Sequence, residues 1–115
     1  MKYVVYSLIG ENCITVDDGQ KVYDLIHPDL VAGHPVELDF AGVSVFASPF
    51  FNAAIGRLLK DIKPEDLNRL LKVSNLIPVG MDVLKRVIEN SKQYYSDKSI
   101  RKALDDILSE QVEDK

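Results

Sequence analysis

Val36, Leu38 and Phe40 alternate with Glu37 and Asp39, the two-residue period of a strand with one buried face. A turn at Gly42 leads into a short apolar run, Val43-Ser44-Val45-Phe46, and Ala47-Ser48-Pro49 then opens a helix, with Ser48 as N-cap and Pro49 at the first helical position. Beyond it the period changes. Phe51, Ala54, Ile55, Leu58 and Leu59 fall at i, i+3, i+4, i+7 and i+8 and share one helical face, while Asn52, Gly56, Arg57 and Lys60 lie elsewhere. Phe50 falls off that stripe, near the helix's exposed start, where it either packs in part against a neighbouring loop or faces a partner.

The same reading extends in both directions. Residues about 2–9 predict a first strand, and Cys13 to Val16 a second after a Gly10-Glu11-Asn12 turn. Asp17 caps a helix, with Gln20 three residues on in the manner of a capping box; Val22, Leu25 and Ile26 form its inner face, and His27-Pro28 ends or kinks it. Gly33-His34-Pro35 turns into the Val36 strand. Downstream, Lys63-Pro64-Glu65-Asp66 starts a short helix, a strand follows at about 71–75, and Asn75 to Gly80 is a loop. Met81 or Asp82 begins a helix carrying Leu84, Val87, Ile88, Ser91 and Tyr95. A last helix starts near Ser96 or Ser99, with Ile100, Ala103, Leu104, Ile107 and Leu108 on one stripe that packs on its own domain, on a second copy or on a cognate protein. The tail from Glu110 to Lys115 is acidic, and a frayed end is expected there. Strands interleaved with helices predict an α/β fold: one small domain, with a mixed sheet of about four strands and helices packed on it, over residues 1–96, followed by a C-terminal helix and tail over 97–115.

Composition narrows the function. A chain of 115 residues favours one domain, and 46% hydrophobic residues suffice for a core. The net charge of −4 argues against a broad nucleic-acid interface. The apolar runs fall far short of the roughly 20 residues that cross a bilayer. Met1 to Leu8 has no small-residue cleavage site and reads as a strand rather than a signal peptide. Cys13, the only cysteine, cannot form an internal disulfide, which fits a reducing cytosol. The expectation is a cytoplasmic protein without membrane or nucleic-acid partners.

Few residues suggest chemistry. Ser48, at the positive end of a helix beside the end of a strand, is placed to meet an anion or accept a phosphate. Asp17, Asp18, Asp24 and Asp29 fit no calcium loop, and His27 and His34 lack the sulfur or clustered acid of a zinc site. Cys13 reads as a buried, inert thiol, and the scattered glycines make no phosphate-cradling motif. Lys85-Arg86 and Arg101-Lys102 are basic pairs interrupted by acids. No metal or cofactor is expected.

The run Leu38 to Leu59, LDFAGVSVFASPFFNAAIGRLL, resembles the central strand, turn and helix of STAS domains, the anti-sigma factor antagonist fold. It is closer still to a STAS-like family of unknown function. The segment Leu71 to Tyr95, LKVSNLIPVGMDVLKRVIENSKQYY, is similar to the closing strand, Asn-containing loop and helix of that family. The resemblance implies a regulatory protein without enzymatic activity that binds an ATPase-type serine kinase or another signalling partner. In anti-sigma factor antagonists the phosphorylated motif reads Asp-Ser-Ser/Thr-Gly; the matching positions here are Ala47, Ser48, Pro49 and Phe50, and the serine alone is shared.

Two functional expectations follow. The first is a non-enzymatic interaction module that meets its partner through the Ser48–Phe50 turn, with Phe50 as apolar anchor, Asn52, Arg57 and Lys60 setting specificity, and Ser48 as candidate phosphorylation site. The alternative is a small enzyme, or enzyme subunit, that holds an anionic ligand at the helix start after Ser48. A deep pocket where His34 or Asp39 meets Ser48 would mark the enzyme; Phe50 exposed on a flat apolar patch would mark the module.

Overall fold

The computed structural model describes residues 1–96 of the chain. The expected Ile100–Leu108 helix and acidic tail lie outside the described residues.

Two small parallel sheets replace the single mixed sheet of about four strands. The first has the order β1 (Lys2–Val4), β3 (Val36–Asp39), β5 (Leu71–Ser74); the second pairs β2 (Asn12–Cys13) with β4 (Val45–Phe46). In the larger sheet Tyr3, Leu38 and Val73 lie in one register row, and Val4, Asp39 and Ser74 in the next. Side chains alternate along each strand. The Tyr3–Leu38–Val73 row therefore joins the core, and the Lys2–Glu37–Lys72 row carries the charges.

The expected first strand is cut short. Only Lys2–Val4 is extended; Val5–Ile9 forms a helix, α1, with Val5 buried and Ile9 packed against the core one turn later. Apolar residues four apart suit a helical turn as well as a strand end, and the terminal Gly10 stands at φ 87°.

Helix α2 (Val16–Val31) begins and ends differently from the expectation. Thr15, not Asp17, is the cap, its hydroxyl accepting the backbone N–H of Asp18. Pro28 lies inside the helix. The stop is Gly33 at φ 84°: its N–H donates to the Leu30 carbonyl and the N–H of His34 to that of Asp29, the paired bonds of a Schellman ending. Val22 and Ile26 are buried as expected, whereas Leu25 is 40% exposed.

Helix α3 (Ser48–Ala54) ends at Ile55 and continues as a 3-10 helix over Gly56–Lys60, so the apolar stripe is carried by two short elements. All five stripe residues are buried. Helix α4 (Pro64–Leu70) opens at its proline. Helix α5 (Pro78–Ser96) starts three residues before Met81, with Pro78 as its first residue rather than part of a loop. Helix α2 lies close against α3 because position 19 has no side chain: a Cβ there would stand 2.5 Å from the Phe50 carbonyl oxygen and 2.8 Å from the Ala53 Cβ. Beneath that crossing Phe40, Phe46, Phe50 and Phe51 form a continuous aromatic cluster, with ring centroids 5.3–6.1 Å apart.

Candidate functional site

The β4–α3 junction owes its shape to the small sheet. The N–H of Ala47 donates to the Cys13 carbonyl, which keeps the chain extended one residue past β4. Ala47 is therefore the N-cap, without a side-chain cap bond, and Ser48 is the first helical residue instead of the cap itself. Ser48 and Pro49 are exposed, beside Val45 at 44% exposure.

Phe50 corrects the expectation most sharply. It is 0% exposed, with its ring edge-on to Phe51 at 5.3 Å. A single helical stripe leaves it outside, but α3 is covered both by α2 and by the core beneath, so the buried arc is wider than one stripe. Its side chain offers no surface to a partner, and the apolar anchor expected at that position is withdrawn.

Asn52, Arg57 and Lys60 are exposed. Asn52 and Arg57 meet in one cleft of about 330 Å³, where the 3-10 helix faces α5 and Gly56, Asn90, Ser91, Tyr94 and Tyr95 complete the lining. Lys60 lies apart, in a smaller hollow of about 190 Å³ with Lys63 and Lys92. Arg57 is held in place: its guanidinium carbon sits 4.5 Å from the centroid of the Tyr23 ring, and its Nη1 donates to Gln20 Oε1. Gln20 in turn donates to Asp24 Oδ1 at 2.7 Å.

Neither His34 nor Asp39 is bonded to Ser48. Asp39, at the end of β3, has Oδ1 accepting the Ala41 N–H and the Asn75 side-chain amide, each at 2.9 Å, with Lys2 Nζ 3.6 Å from Oδ2. The Asn75 bond, then that of Ala41, holds its carboxyl below the usual carboxylate range. Asn75 takes up this position at φ 57°. Ser48 lines neither of these clefts, nor an apolar groove of about 520 Å³ between α4, β5 and α5, lined in part by Leu67, Leu71, Val73, Leu84 and Ile88. Burial and then the Asp18 charge push the Cys13 thiol up to about 12. Among the described residues, no group of three or more His, Cys, Asp and Glu could hold a metal, and no helix is long and apolar enough to cross a membrane.

Sequence reasoning missed the pairing of His27 with Asp61, whose Nε2 and Oδ2 lie 2.9 Å apart, and the stacking of Tyr23 on His27. The i, i+4 spacing of Tyr23 and His27 was a signal for the second contact; nothing local indicated the first. It also missed Asn90 as a neighbour of Asn52 and Arg57.

A family model for the STAS-like domain of unknown function (DUF4325) matches residues 18–81, from the first turn of α2 to that of α5. The chain belongs to that family. The match spans the β4–α3 junction and the Arg57 side of the cleft, so both features lie within the STAS-like domain, while Asn90, Ser91 and Tyr94 come from the part of α5 beyond it. No curated protein and no solved structure matches the chain.

Proposed function

We propose that this STAS-like domain is a non-enzymatic regulatory module that binds a protein partner at the β4–α3 junction and along the adjoining exposed side of α3. The observation that carries this reading is the split within one short segment. Ser48, Pro49 and Asn52 face solvent beside the exposed Val45, while Phe50 and Phe51 anchor the same backbone in the core. A rigid support under an exposed, partly apolar rim is what a pre-formed contact surface requires. With Phe50 turned inward, Val45 and Pro49 supply the apolar contact, and Asn52 and Arg57 the polar one.

A photo-crosslinking residue at position 48 tests the proposal against one at position 72, on the charged side of the sheet. A specific adduct from position 48 and none from position 72 is expected in native-cell extract. Adducts from position 72 alone, or none from position 48, overturn it. The resemblance to anti-sigma factor antagonists makes an ATP-dependent serine kinase the partner class to try first. Incubation of the purified chain with the recovered partner and ATP, followed by mass spectrometry, then separates a switch from constitutive binding: phosphate on Ser48 supports the first, and an unmodified Ser48 the second.

A further inference from the structure

The cleft between the 3-10 helix and α5 is lined mainly by polar side chains that can donate hydrogen bonds, with Gly56 at its floor. Arg57 supplies a fixed positive charge, Asn52 and Asn90 supply amides, and Ser91 supplies a hydroxyl, with Tyr94 and Tyr95 beside them. Among the described residues no acidic side chain lines it. The guanidinium is oriented before any ligand arrives, because the Tyr23 ring supports it and Gln20 takes a single N–H, leaving other donors of the fork. The Asp24 carboxylate is itself engaged by the Gln20 amide. Ser91 is 9% exposed, and a Cβ at position 56 would stand 2.6 Å from its hydroxyl oxygen. Glycine at 56 thus keeps the floor of the cleft open.

We infer that this cleft binds a carboxylate side chain, an Asp or Glu presented by the protein partner. The inference rests on the interaction-module reading and names the chemistry that the module recognises. One guanidinium with neutral donors suits a singly charged, planar carboxylate, which Arg meets with two parallel bonds. A dianionic phosphate calls for more positive charge than one Arg supplies, in a chain of net charge −4. A volume of about 330 Å³ accepts one side chain and lies at the lower end of the range for small-molecule sites.

The test is an amide and side-chain NMR titration of the full chain with three probes: a capped tri-glutamate peptide, a capped tri-glutamine peptide and inorganic phosphate. Tri-glutamate is expected to give saturable shifts centred on Asn52, Arg57, Asn90 and Ser91, and tri-glutamine none. Arg57→Gln should weaken tri-glutamate binding at least tenfold. Asn90→Asp, at an exposed position of α5, should do the same by placing a like charge in the cleft without disturbing the core. The inference is overturned by the absence of a saturable shift, by shifts centred elsewhere, by equal binding to either variant, or by phosphate binding in preference to glutamate. Because the titration needs no partner, a silent cleft alongside a specific crosslink from position 48 refutes the carboxylate assignment and leaves the interaction module standing.

Discussion

Asp39 and Arg57 are charged residues at opposite extremes of use. At the end of β3 the Asp39 carboxylate is enclosed, with one oxygen taking two hydrogen bonds from the protein itself and Lys2 near the other. Beside the 3-10 helix Arg57 is positioned just as firmly, by Tyr23 and Gln20, yet it borders an open cleft. The first charge is consumed by the fold, tying β3 to the loop after β5. The second is oriented and left facing solvent. Burial follows the same division along α3, where Phe50 and Phe51 turn inward while Ser48 and Asn52 stay outside. An internally satisfied polar group belongs to the architecture; an oriented group with donors to spare is the kind that the proposed recognition requires.

The largest test of this division is Phe50→Ala. Loss of a fully buried ring should cost about 3–5 kcal/mol by urea denaturation. A cost near zero would return Phe50 to the surface and break the comparison. Next comes Gly19→Ala. The added methyl meets a backbone oxygen that cannot turn aside, and a loss of about 1–3 kcal/mol is expected; an unchanged urea midpoint would mean that α2 does not lie so close to α3.

A smaller effect separates the two charges by pH. Asp39 titrates below the usual carboxylate value of about 3.9, so its contribution to stability is complete above that pH and falls away as pH drops through the folded value. Urea midpoints taken between about pH 7 and pH 2.5 should show a steeper acid decline for the wild type than for Asp39→Asn. Identical declines would remove Asp39 from the architecture. The smallest change expected is from Ser48→Ala, within about 0.5 kcal/mol, since Ser48 is an exposed first helical residue and Ala47 holds the cap position. A loss of 1 kcal/mol or more would make Ser48 a structural cap and weaken its claim as a surface group.

Much of the scaffold was legible locally. The Val36–Phe40 alternation, the five-residue stripe from Phe51 to Leu59 and the proline opening of α4 each follow from spacing within a few residues, and each recurs in the structure. Errors cluster where two local signals compete. Val5 to Ile9 satisfies a strand end and a helical turn equally, and only packing of Val5 and Ile9 against the core chooses the turn. Pro28 reads as a stop or a kink, and of the two the stop is excluded, since the hydrogen bonds that end α2 gather at Gly33. In the candidate site, the exposure of Ser48, Asn52 and Arg57 was foreseen and the full burial of Phe50 was not, because Gly19, where the covering helix meets it, is 31 positions away in sequence.

The order of residues alone therefore determined an α/β chain and a serine delivered to the start of a helix, since periodicity, turn residues and proline placement act over a few residues. The tertiary structure decided which way the aromatic ring next to that serine turns, how the strands divide into two parallel sheets, and which side chains gather around Arg57. Those outcomes depend on contacts between distant segments, α2 over α3 and α5 beside the 3-10 helix, and no local pattern records which surfaces will meet.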